Sequence, residues 1–68
     1  MPNPGPPLYR GWWRANRRKP WLALSAANTE DDCWRDLLYA VEMRRLHGGD
    51  SCVRASADGP PPDARQTR

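Results

Sequence analysis

Cysteine is scarce in this chain of 68 residues: Cys33 and Cys52 allow at most one bridge, which excludes a disulfide-stapled scaffold. Phenylalanine and isoleucine are absent, and lysine and histidine occur once each, as Lys19 and His47. No apolar run is long enough to span a membrane, and the opening "MPNPGPPLYR" lacks the basic start and apolar stretch of a secretory signal. The expectation is a soluble, cytoplasmic chain with reduced cysteines and no membrane partner. The C-x-x-C spacing of a zinc knuckle is missing, so Cys33, Cys52, His47 and a carboxylate are not expected to converge on a metal. Gly48 and Gly49 come after a helical stretch, whereas glycine-rich phosphate loops precede one.

Catalytic groups are equally thin. Nucleophilic catalysis needs a base held beside a nucleophile, and His47 sits beside two glycines where a helix should end. Cys33 falls in a first helical turn, among three acids and on the apolar face of the helix. It reads as a buried structural thiol. No enzymatic activity, cofactor, metal or small-molecule substrate is expected.

What the chain has in abundance is arginine, ten against the single lysine, together with eight prolines and four tryptophans. Chains of that composition also arise when a non-functional frame is translated, so a chain with no selected function is one reading that local coherence has to oppose. Charge is segregated. Residues 1–19 hold Arg10, Arg14, Arg17, Arg18 and Lys19 with no acid, whereas residues 29–50 hold six acids against Arg35, Arg44 and Arg45. Anionic partners would prefer the first segment.

A chain this short buries only about 60% of the surface its unfolded form exposes, so it makes one domain with a small core. Residues 1–8 and 56–68 are rich in proline, glycine and charge and poor in apolar residues, which predicts disordered tails around a domain over 9–55. Pro4 and Pro7 match a PxxP spacing, but in so proline-rich a run an extended tail is the plainer reading.

Within the domain the strongest element is "NTEDDCWRDLLYAVEMRRLHGG". Thr29 and Asp32 form a capping-box pattern, Glu30, Asp31 and Asp32 oppose the amino end of the dipole, and Arg44, Arg45 and His47 oppose the carboxyl end. Gly48 and Gly49 supply a left-handed stop. The spacing predicts a helix over 30–47, with Cys33, Trp34, Leu37, Leu38 and Val41 on the core face and Tyr39, Met43 and Leu46 forming a second stripe. Upstream, "GWWRANRRKPWLALSAA" alternates like two short strands around a polar turn, with Leu22, Leu24 and Ala26 expected toward the helix. "SCVRA", with Val53 and Ala55 inward, returns to the sheet. The fold class expected is α+β, a two-layer ββαβ module with one helix on a short, mostly antiparallel sheet.

The series Trp13, basic turn, Trp21, "TEDDCWRDLL" and "GGDSCV" resembles short uncharacterised bacterial proteins that share a tryptophan-containing hairpin, a "TED" helix start with a following tryptophan and a glycine-aspartate exit. The resemblance covers about residues 13–53; it implies the fold and transfers no activity or site. In layout alone the chain is similar to ββα modules that read DNA with a sheet face.

These patterns define two binding surfaces. If Leu22 and Leu24 face the helix, Trp21 and one of Trp12 and Trp13 project from the opposite face, with Arg14 beside them if that one is Trp12, and Arg17, Arg18 and Lys19 at the rim. Rings beside guanidinium groups can stack unpaired bases, and the basic turn can hold phosphates. The same rings can instead be structural, shielding the backbone of a small sheet. The rival surface is the Tyr39, Met43 and Leu46 stripe, which could dock a protein, form a homodimer seam, or be covered by a tail carrying Leu8 and Tyr9.

Overall fold

The computed structural model describes residues 7–62. Three strands, β1 (Tyr9–Arg14), β2 (Leu22–Ala27) and β3 (Asp50–Ala55), form one antiparallel sheet in the order β2-β1-β3, and helix α1 (Glu30–Met43) packs on it, chiefly across β2 and β1. This is the two-layer α+β arrangement expected from the hydrophobic pattern. A short 3-10 turn, Ser56–Asp58, comes after β3. Among the described residues no helix is long and apolar enough to cross a membrane.

The centre of the sheet is set by Gly11. A Cβ at this position would collide with Ser25 Oγ and sit 3.0 Å from Leu37 Cβ, so the absent side chain is what lets the helix approach β1. Gly11 therefore faces the helix, and alternation sends Tyr9 and Trp13 to the same side and Arg10, Trp12 and Arg14 to the other. Val53 lies opposite Gly11 and Ala55 opposite Tyr9, so both point inward. Trp13, Cys33 and Leu37 are the buried apolar residues.

Strand β2 departs from simple alternation. Its pairing slips between Gly11↔Ser25 and Trp12↔Ala23, leaving Leu24 as an extra residue. Ser25 consequently faces the helix, where its hydroxyl donates to the Cys33 carbonyl oxygen at 3.0 Å. With that one hydrogen committed, the Cys33 thiol is the donor in the 3.4 Å contact with the same oxygen. Ala26 pairs with Arg10 on the outer face, and Leu22 is exposed at the sheet edge. Leu22, opposite Trp13, keeps the expected side although it is exposed, whereas the expected inward facing of Leu24 and Ala26 is corrected, because one inserted residue reverses the facing of every later position in the strand.

The helix begins as its sequence dictates and ends early. Thr29 adopts extended backbone, and its Oγ1 accepts from the Asp32 amide at 3.1 Å. The Asp32 carboxylate meets Arg35 at 3.2 Å, so the half of the capping box that would return to Thr29 is not the contact seen. At the other end Arg45 takes a left-handed conformation at φ 57°, with Arg45 N–H donating to Glu42 O and Leu46 N–H to Val41 O, both at 3.0 Å. That pair of bonds is the Schellman closure, built on arginine where glycine is usual. The helix stops at Met43 rather than His47, and Gly48 and Gly49 serve the next turn instead. A Cβ on Gly49, at φ 83°, would run into Arg14 O and come within 2.9 Å of Trp13 Nε1.

Two further expectations fail for geometric reasons. Trp34 and Leu38 are exposed, because three six-residue strands cover a narrower arc of helix than the apolar stripe offers. Residues 56–62, assigned by composition to a tail, include the 3-10 turn and bonds back to the domain. The Ser56 amide donates to Leu8 O at 2.8 Å and its hydroxyl to Pro7 O at 2.6 Å. Residues 1–6 and 63–68 of the expected tails lie outside the described residues.

Candidate nucleic-acid interface

Strand β1 places alternate residues of "YRGWWR" on opposite faces, and the outer set is Arg10, Trp12 and Arg14. Across β3 they meet Arg54, Cys52 and Asp50 respectively. Arg14 is 8% exposed, pairs with Asp50 at 3.0 Å, and lies over the Trp21 ring at 4.4 Å from its centroid. The guanidinium is thus shared between a carboxylate and an aromatic face. Trp21 lies just before β2 and just after Pro20, whose ring fixes the backbone entering the strand.

The hairpin turn is organised by Asn16. Its side-chain oxygen accepts from the Arg18 amide at 2.8 Å and its carbonyl from the Lys19 amide at 3.1 Å, an Asx-turn that leaves the side chains of Arg17, Arg18 and Lys19 in solvent. Among the described residues these three have no ion-pair partner. Arg54 donates to Pro60 O at 2.8 Å.

Electrostatically the layers are opposed. Over residues 9–27 and 50–55 the only carboxylate is Asp50, already bound by Arg14, against Arg10, Arg14, Arg17, Arg18, Lys19 and Arg54. The helix carries Glu30, Asp31, Asp32, Asp36 and Glu42 against Arg35. Burial pushes the Cys52 thiol above its ordinary pKa, and the charges of Arg54 and Arg14 pull it part of the way back.

Of the residues named from sequence, the structure brings Trp12, Arg14 and Trp21 to the outer side, with Lys19 lining the same groove as Arg14 and Trp21 and with Arg17 and Arg18 exposed in the turn. Trp13 does not join them: it is 6% exposed on the helix side, and its Nε1–H donates to Gly48 O at 3.1 Å. It is a core residue. Trp12 and Trp21 are half-buried, and their indole Nε1 atoms are buried with no acceptor. Arg14 already covers one ring face of Trp21, so open stacking of a base there is pre-empted. Sequence reasoning missed Arg10 and Arg54, although the R-x-W-x-R alternation of residues 10–14 was the signal for the first. Arg54 required knowing that β3 pairs with β1.

The rival stripe is divided. Tyr39 and Met43 are 64% and 62% exposed, but the early helix stop folds Leu46 back toward Val41, where it lines a shallow groove with Leu38 and His47. Among the described residues, Leu8 and Tyr9 do not cover the stripe, since Tyr9 is committed to β1 and Leu8 is itself exposed. His47 is exposed, Cys33 is buried and Cys52 is half-buried. Among the described residues no three of the histidine, cysteine, aspartate and glutamate side chains are grouped to hold a metal ion. No family description, curated protein or solved structure matches the chain.

Proposed function

We propose that the protein is a non-enzymatic, nucleic-acid-associated module that binds through the outer sheet face and the adjoining basic turn. The observation that carries this reading is the separation of charge by layer: cations at Arg17, Arg18 and Lys19 in the turn past the Arg14 end of β1 and at Arg10 and Arg54 farther along the sheet, with the acids on the helix. Such a surface attracts phosphates first. The half-buried rings of Trp12 and Trp21 contribute edges and partial faces, so the mode supported is sequence-tolerant backbone binding with little base stacking.

The test is fluorescence anisotropy of labelled single-stranded and duplex oligonucleotides over a salt series. Three to four neutralised phosphates give a slope of log K against log salt of about −3 on duplex. The slope and the affinity should both shrink in Arg17→Glu/Arg18→Glu. A salt-independent affinity, or one indifferent to that change, would refute the reading.

A second reading rests on a separate observation, the exposed Leu38, Tyr39 and Met43 side chains on α1. They suit self-association, since so small a core leaves apolar surface that a second copy could bury. Sedimentation of the full chain at two concentrations tests it, with Met43→Asp abolishing any dimer.

A further inference from the structure

The segment leaving the 3-10 turn runs back to the outer side of the sheet. Arg54 donates from Nη1 to Pro60 O at 2.8 Å and reaches Gly59 O at 3.5 Å, fixing where the segment starts. Pro60, Pro61 and Pro62 then line one groove of about 410 Å³ together with Arg14, Pro20 and Trp21. Pro61 is half-buried, unlike its two exposed neighbours. Three consecutive prolines have fixed φ angles, and each residue before a proline is pushed to extended backbone, so this run favours a polyproline II path before it docks. It loses little entropy on binding and offers carbonyl oxygens with no competing amide donors.

The facing wall suits such a segment. Proline-rich ligands in a polyproline II conformation dock in aromatic-lined grooves. Arg14 and Trp21 make a layered shelf; Trp12 Nε1 and Trp21 Nε1 have no acceptor even with the segment in place, so Arg54 and proline packing on the shelf, not indole hydrogen bonds, hold it.

We propose that the Arg14–Trp21 shelf is a polyproline-binding site, filled in cis by Gly59–Pro62. Only a few residues separate the end of β3 from Pro60, so the cis segment acts at an effective concentration in the millimolar range and excludes a trans ligand of ordinary affinity. In its free form the shelf would accept a proline-rich peptide. If the outer face also binds nucleic acid, a consequence that rests on the function proposed above, strap and oligonucleotide compete for it.

The experiment needs no nucleic acid. In the full chain Pro60, Pro61 and Pro62 are replaced by glycine, and the indole N–H resonances are monitored by heteronuclear NMR. The Trp12 and Trp21 signals should shift while Trp13, held by Gly48 O on the opposite face, stays in place and reports that the fold is intact. A peptide of residues 56–68, "SADGPPPDARQTR", should return the two signals saturably in the variant and leave the unsubstituted chain unchanged at the same concentration. Pro61→Ala alone serves if the triple variant unfolds. Unmoved Trp12 and Trp21 signals, or a peptide with no effect on the variant, would overturn the proposal. Tighter oligonucleotide binding by the variant supports competition. Unchanged oligonucleotide binding alongside peptide recovery keeps the polyproline site and removes nucleic acid from the groove.

Discussion

Toward the helix, β1 presents Tyr9, Gly11 and Trp13 to a layer in which Gly11 has no room for a methyl group and Trp13 is anchored to Gly48. Toward solvent, the intervening Arg10, Trp12 and Arg14 form a cationic and aromatic face crossed by a proline segment. Period-two alternation makes one six-residue strand both the core of the fold and the centre of the candidate interface. Substitutions on the two faces should therefore be felt in different assays. Inner positions should cost stability, and the exposed cations of the outer layer should cost binding.

The largest effect is expected on the inner side. Gly11→Ala must move Ser25 and Leu37, and overpacking of this kind costs about 1–3 kcal/mol, a large share of what so small a domain can hold. Urea denaturation measures it. An unchanged midpoint would erase the contrast between the faces. On the outer side, Arg17→Glu/Arg18→Glu should leave that midpoint within about 0.5 kcal/mol, as exposed substitutions do, while weakening oligonucleotide binding by roughly tenfold or more at low salt.

Smaller effects are expected away from the sheet. Arg45 holds a left-handed conformation that glycine adopts freely, so Arg45→Gly should stabilise the chain by about 0.5–1 kcal/mol in the same denaturation assay. Met43→Asp should change stability by less than about 0.5 kcal/mol and leave nucleic-acid binding intact, since the side chain is exposed on the opposite layer. Loss of oligonucleotide binding in Met43→Asp would place the interface on the helix layer instead.

The helix start was legible because Thr29 and the acids after it act within one turn, where local chemistry decides. The helix end was not, because Gly48 and Gly49 advertise a stop that Arg45 makes three residues sooner, and nothing in an arginine announces positive φ. The facing of β2 was hidden for another reason: a single extra residue at Leu24 reverses the alternation, and bulges leave no compositional mark. Which tryptophan is core and which is surface was decided by Gly11, whose contact with Leu37 spans 26 positions of sequence. Arg14 was legible as a neighbour of the rings, but its pairing with Asp50 depended on the register of β1 with β3. Composition assigned residues 56–62 to a tail, yet Ser56 and Arg54 tie them down through hydrogen bonds that hydropathy does not register.

The most direct test of the outer face as the interface is a tryptophan-fluorescence titration of the folded chain with single-stranded and duplex oligonucleotides at low and moderate salt. Saturable quenching that weakens with salt, disappears in Arg17→Glu/Arg18→Glu and persists in Met43→Asp is the result expected. A flat titration, from a chain whose circular dichroism shows the helix intact, would contradict it and make Trp12 and Trp21 purely structural.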